Sequence, residues 1–306
     1  MPSTLAVVSQ SGESLTFYDV DSGEKTGHMS NLIAEPHELC YDDRTGLLYV
    51  THAYAHGWCV AHGEDGKTVS VIDCKQQKVV DTIDVTPHGG PHYAVLDKSR
   101  DILYSSVEVG LEGAGGIIGI DLKTKKIISH RAPKRTVMDV HEGRMTTRIG
   151  LPGGCEQPGI SSDGRYAYFP IPTPTTSNHW DSSIDDVQSV VVLIDTSTNS
   201  ITATVPLPSS GLTVHVDCLD RILVGHFRLD RPQIPQKHLP GKLSLAPLTV
   251  TSTPDGKRAF AANIFSRTVT VVDMERLKVE KTIEVDVVHR QDKTMHQGAH
   301  GMAVIP

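Results

Sequence analysis

Sixteen histidines stand in a chain of 306 residues, and their spacing points to chemistry more than their number does. Two positions recur at fixed offsets from an aromatic residue. Counting back 12 residues from Tyr49, Tyr104 and Tyr168 reaches His37, His92 and Glu156, and the same count from Phe260 reaches Leu248. His300 fills this slot to within one residue near the C-terminus. The second position, three residues after the aromatic, holds His52 after Tyr49 and Asn263 after Phe260; His226 takes it if Leu223 replaces the aromatic. Imidazole and carboxylate together bind divalent metals that polarise a substrate or activate water. Without a metal the same groups exchange protons near neutral pH. His37, His92, Glu156, His300, His52 and His226 are therefore the candidate catalytic groups, and His37, His92 and His300 the candidate metal ligands. A plainer reading is that His37 and His92 hydrogen-bond neighbouring elements and hold the centre of the fold together. No H-x-H or H-E-x-x-H spacing decides between these readings.

Two long polar loops, 52–66 and 172–188, carry the two tryptophans, Trp58 and Trp180. Each ring either anchors its loop or forms an apolar wall for a ligand. Loops longer than about 12 residues are more often functional than short ones. A third loop, 226–238, adds Arg228 and Arg231, as anion partners or as solvated surface charges. Trp58, Trp180, Tyr104, Asn263 and Arg228 form the candidate substrate-binding set. No G-x-S-x-G elbow, Walker A loop or C-x-x-C-H haem motif is present, and the glycine run GLEGAGG at 110–116 has no strand–turn–helix context.

Composition removes other classes. The 29 basic and 36 acidic residues give a net charge of −7, opposite to what phosphate-driven nucleic-acid binding needs. No apolar run approaches the ~20 residues of a membrane helix. The five cysteines, Cys40, Cys59, Cys74, Cys155 and Cys218, include no C-x-x-C pair, which argues against a disulfide framework. The opening MPSTLAVVSQSGES lacks a basic region followed by an apolar one, so a cytoplasmic location is expected.

The elements that must position the histidines repeat along the chain. SLTFYDVDSGEKTG, TVSVIDCKQQKVVDTIDV, GIIGIDLKTKKIISHRAP, SVVVLIDTSTNSITATVPL and TVTVVDMERLKVEKTIEV each read as alternating strand, Asp-led turn and second alternating strand. The turn aspartates are Asp19, Asp73, Asp121, Asp195 and Asp273; an Asp side chain bonds backbone two residues on and opens such turns. A second repeated hairpin precedes these (PHELCYDDRTGLLYVTHA, PHYAVLDKSRDILYSSVE, EQPGISSDGRYAYFPI, VHVDCLDRILVGHF, LTVTSTPDGKRAFAANI). Two hairpins make a four-stranded antiparallel sheet, and such sheets repeated around an axis make a β-propeller. The spacing predicts an all-β chain, one domain over 1–306, with six blades. The hairpin RTVMDVHEGRMTTRIGL is read as an insertion, with a degenerate seventh blade as the alternative. The C-terminal AHGMAVIP should pair with the N-terminal strands and close the ring. On this topology all histidines except His28 and His130 fall on or near one face.

LLYVTHA…KTVSVIDCKQQKVVDTIDV and KRAFAANIFSRTVTVVDMERLKVEKTIEV resemble the YVTN-type, YncE-like β-propeller repeat. The resemblance implies the fold and leaves the activity open, because such repeats occur in binding proteins, redox proteins and enzymes. In fold, size and lack of a signal peptide the chain also resembles cytosolic propeller enzymes of fungal natural-product biosynthesis, which catalyse dehydration and hetero-Diels–Alder cyclisation. The expected function is thus a cytosolic enzyme of secondary metabolism, a lyase or cyclase with non-redox chemistry in a histidine-rich pocket. A metal-dependent hydrolase such as a lactonase and a non-catalytic propeller that binds a protein or peptide are the alternatives. The expected cofactor is none or a divalent metal; the expected partner is a small-molecule substrate, with no nucleic acid and no membrane.

Overall fold

A computed structural model describes residues 3–56, 64–111, 113, 115–131, 136–139, 144–155, 157–172, 189–208, 210–227, 247–285 and 298–306. The repeated hairpins form sheets of one kind. β1 (Thr4–Ser9), β2 (Ser14–Asp19) and β3 (Lys25–Met29) join the last strand, β24 (Ala299–Ile305), in the order β24-β1-β2-β3. β4 (Pro36–Asp42), β5 (Leu47–His56), β6 (Glu64–Asp73) and β7 (Lys78–Asp84) follow in sequence order, as do β8 (Gly89–Asp97), β9 (Ile102–Val109), β10 (Gly116–Asp121) and β11 (Lys126–Arg131). These three sheets belong to one compact unit.

A second compact unit holds three more. They are β14 (Gly159–Ile160), β15 (Tyr166–Ile171), β16 (Val190–Asp195) and β17 (Ser200–Pro206); the pair β18 (Ser210–Val216) and β19 (Ile222–Phe227); and β20 (Pro247–Ser252), β21 (Arg258–Asn263), β22 (Thr268–Asp273) and β23 (Lys278–Glu284). β12 (Thr136–Asp139) and β13 (Arg144–Arg148) form a separate two-stranded ribbon, in keeping with the insertion. Among the described residues the repeated sheets number six, five of them four-stranded. No helix among these residues is long and apolar enough to cross a membrane.

Local chemistry explains each hairpin. The Oδ1 of Asp19, Asp73, Asp121, Asp195 and Asp273 accepts backbone N–H bonds from Ser22, Gln76, Thr124, Ser197 and Arg276 respectively. The last turn residue is left-handed in four of them: Gln77, Lys125, Asn199 and Leu277 have φ of 49°, 57°, 54° and 51°. The turn is therefore held by its Asp, since only Asn199 is of a type that adopts this conformation readily.

Alternation decides which neighbour each strand face meets. Leu48, Val50 and Ile72 pack with Ala6, Val8, Leu15 and Phe17 of the first sheet. Tyr49, Val69 and Val71 point the other way, onto Leu103, Ile118 and Ile120 of the third. The inner strands thus bury both faces, while an outermost strand such as β17 is exposed throughout. β24 pairs antiparallel with β1 through Thr4↔Ile305, Leu5↔Val304, Ala6↔Ala303 and Val7↔Met302, the pairing expected of the C-terminus. Within this unit the innermost strands β24, β4 and β8 lie next to one another in that order.

Candidate functional site

A β-bulge recurs near the start of these inner strands. Pairing slips by one residue between Pro36 and Leu39 in β4, between Pro91 and Ala94 in β8, and opposite Val7–Ser9 in β24. It does the same between Gly211 and Thr213 in β18 and between Pro247 and Thr249 in β20. The bulged positions include His37, His92 and His300 in the first unit and Leu212 and Leu248 in the second. The recurrent slot read twelve residues before the aromatic is therefore a bulge, and bulges re-aim side chains out of the pleat. A hydroxyl on the partner strand takes up the freed N–H: Glu38 N–H donates to Thr51 Oγ1 at 3.0 Å and Tyr93 N–H to Ser106 Oγ at 3.0 Å.

Three of the predicted residues converge. The His37 ring lies 3.9 Å, centroid to centroid, from both His92 and His300. Gly301 makes the approach possible, because a Cβ there would stand 2.3 Å from the His37 carbonyl oxygen. Glu38 joins them, its Oε1 3.4 Å from His300 Nδ1 and 4.0 Å from His37 Nδ1. One ligand atom from each of His37, Glu38 and His300 lies within 4.8 Å of the others. All three residues are buried, and neither His37 Nδ1 nor His300 Nδ1 has a hydrogen-bond partner. Burial first, and then the nearby His300, His92 and His52, hold the His37 imidazole well below its ordinary value. It is neutral at pH 7, with a lone pair free to bind.

His92 stands at the more open side, its side chain 27% exposed. Its Nε2 is 3.7 Å from Glu108 Oε1 and 3.4 Å from the Tyr54 hydroxyl, which donates to the same Glu108 oxygen at 3.1 Å. Glu38, rather than the expected His92, thus stands with His37 and His300 in the group that could hold an ion. Glu38, Tyr54 and Glu108 escaped the sequence reading. Alternation along β5 puts Tyr54 on the face of His52, a usable signal; for Glu38 nothing short of the bulge reveals it.

The remaining expectations fare differently. His52 Nδ1 donates to the Ala34 carbonyl at 3.0 Å, and its Nε2 pairs with Ser70 Oγ at 2.8 Å. Both nitrogens are hydrogen-bonded inside the fold, and burial lowers its pKa to about 4. The Asn263 side chain donates to Thr268 and Thr270 in its own sheet. Tyr104 covers Gly119, where a Cβ would meet its ring at 3.1 Å. His226 is exposed on β19. Glu156, Trp58, Trp180 and Arg228 lie outside the described residues.

No family model matches the chain, and no curated protein does. Solved structures do. The chain is similar to the periplasmic gluconolactonase of Pseudomonas aeruginosa at 13% identity and a TM-score of 0.63, over 99% of each chain. It is similar to a putative 6-phosphogluconolactonase of Bacteroides fragilis at 13% and 0.61, over 100% of this chain and 98% of that one. It also resembles the dihydro-heme d1 dehydrogenase NirN at 12% and 0.58, over 98% of this chain and 74% of that one. The likeness establishes the fold: an all-β propeller resembling the lactonase and YVTN-type propellers.

Proposed function

We propose that the chain is an enzyme acting on a small organic molecule at a divalent metal bound by His37, Glu38 and His300. The observation that carries this is the pair of buried Nδ1 atoms without hydrogen-bond partners, each within 4.0 Å of the Glu38 carboxylate. Leaving buried polar atoms unpaired costs about 1–3 kcal/mol each, and an ion accepting both lone pairs removes that cost. Two imidazoles and one carboxylate leave coordination positions open for substrate or water, as catalytic sites do. Such a metal polarises a carbonyl or lowers the pKa of bound water.

The protein's own groups supply the rest. Glu38 balances the ion's charge in a buried setting. His92, held by Glu108 and Tyr54, is the acid–base group at the open side, and its removal should lower turnover by about 10²–10⁴-fold. Hydrolysis and elimination are the reactions this set serves. Lactones are the first substrates to test, because gluconolactonases share the fold. Nothing in the described site favours cyclisation.

The test is metal analysis followed by a lactone hydrolysis panel. The protein reconstituted with zinc, manganese or iron should retain about one equivalent of one of them at this group. Glu38→Gln and His300→Ala should lose it while keeping a native circular-dichroism spectrum. A protein that retains none, and whose activity ignores a chelator, overturns the metal reading and leaves acid–base chemistry by His92. A protein with neither metal nor turnover on any small molecule, but with a saturable protein ligand, overturns the enzyme.

A further inference from the structure

We infer that His88 and His130 form a second transition-metal site, separate from the His37 group, which takes a divalent ion of the copper, nickel or zinc type and completes its coordination with water. His130 was one of two histidines the sequence left away from the site face; the structure gives it a partner. The two rings lie 4.4 Å apart, centroid to centroid, and are tilted by 40°. Imidazoles bound cis to one ion through bonds of about 2.1 Å place their centroids roughly 4.5–5.5 Å apart, so the pair stands close to the spacing of a bis-histidine site.

The nitrogens are available. His88 Nδ1 and His130 Nε2 are both buried and lack a hydrogen-bond partner. Unpaired buried nitrogens in two touching rings do not suit a merely structural pair, which would be expected to satisfy them. Burial, and next His130, keep the His88 pKa below its ordinary value, so its ring is neutral and binding-competent at pH 7. Borderline divalent ions favour such neutral imidazoles, copper most strongly in the usual affinity order.

The placement gives the site a role. His88 lies in the connector between β7 and β8, and its backbone N–H bonds the Val85 carbonyl at 2.9 Å. His130 lies on β11, the outermost strand of the next sheet. An ion between them ties the connector leaving one blade to the outer edge of the following one. Gly116 keeps the room beside them clear, since a Cβ there would stand 3.0 Å from His130 Nε2 and 2.1 Å from the Arg131 carbonyl oxygen. An ion that binds only the folded state raises its stability by mass action.

The experiment uses the full chain carrying Glu38→Gln, which disables the other group, titrated with Cu2+ and followed by electron paramagnetic resonance and thermal melting. One equivalent should bind with hyperfine structure from two imidazole nitrogens, and Tm should rise by a few degrees at about 100 Kd. Adding His130→Gln, a half-buried outer-strand change that folding should tolerate, should weaken Cu2+ at least tenfold and abolish the rise. Binding unchanged by His130→Gln, or a signal from a single nitrogen, assigns the copper to other histidines and overturns the site. Failure here leaves the His37–Glu38–His300 reading untouched, because the zinc lost on Glu38→Gln or His300→Ala, with His88 and His130 intact, tests that one separately.

Discussion

His300 Nδ1 lies 3.4 Å from Glu38 Oε1, although the two residues come from opposite ends of the chain. Two features bring them together. β24 pairs with β1, which sets the last strand beside β4, and Gly301 lets the two backbones close up.

Gly301→Ala should therefore be costly out of proportion to one methyl group. The new Cβ would stand 2.3 Å from the His37 carbonyl oxygen and 2.8 Å from Glu38 Cα, both backbone atoms that cannot step aside. Strands β24 and β4 must separate. Zinc affinity should fall at least tenfold and Tm by several degrees, as overpacking typically costs about 1–3 kcal/mol. Isothermal titration and a thermal melt check both; a variant that binds zinc as the parent does would show that the close approach is dispensable.

Thr51 couples two blades. Its hydroxyl donates to the His92 carbonyl at 2.6 Å and accepts from Glu38 N–H at 3.0 Å. Thr51→Val keeps the shape and leaves both backbone groups unpaired. Urea unfolding should show a loss of about 1–3 kcal/mol, whereas Thr51→Ser should recover most of it. Equal losses in both variants would assign the effect to the methyl group instead.

His52 links stability to pH. Its folded pKa of about 4 lies below the ordinary 6.5. As pH falls, the unfolded chain takes up the proton first, so this contribution is full above about pH 6.5 and is lost as pH drops toward 4. Protonation also spoils a bond, because Nε2 can then no longer accept from Ser70 Oγ. Urea unfolding at several pH values between 7.5 and 4.5 should show stability falling with pH in the parent. His52→Gln should be less stable at pH 7.5 and lose less on acidification. An identical pH slope in the two proteins would remove His52 from the account.

Removing residues 299–306 should be severe. It strips β1 of its partner along Ala6 and Val7, both fully buried, and deletes His300. An unpaired, apolar edge strand favours aggregation, so soluble yield should collapse. Adding a peptide of residues 298–306 should restore yield and zinc binding together. A truncated protein that melts within a degree or two of the full chain would exclude this strand from the core of the fold.

The sequence by itself determined the sheets and their turns, because both rest on local rules. Alternation has a period of two, and each of the five turn aspartates bonds the backbone just after it. The sequence also marked the slot of His37, His92 and His300, since equivalent positions in a repeat recur at equal offsets. Tertiary structure decided what the slot does. The extra residue of the β4 bulge leaves no mark in that strand's alternation, and no glycine announces it there, so Glu38 could not be seen turning toward His300. It also separated like from like: His52 and His92 look equivalent as candidates, yet one is sealed between Ala34 and Ser70 while the other faces Glu108 at the open side. Only the packing of β24 beside β4 and β8 fixes which imidazoles keep a free nitrogen, and that packing joins residues too distant in sequence for any local pattern to report.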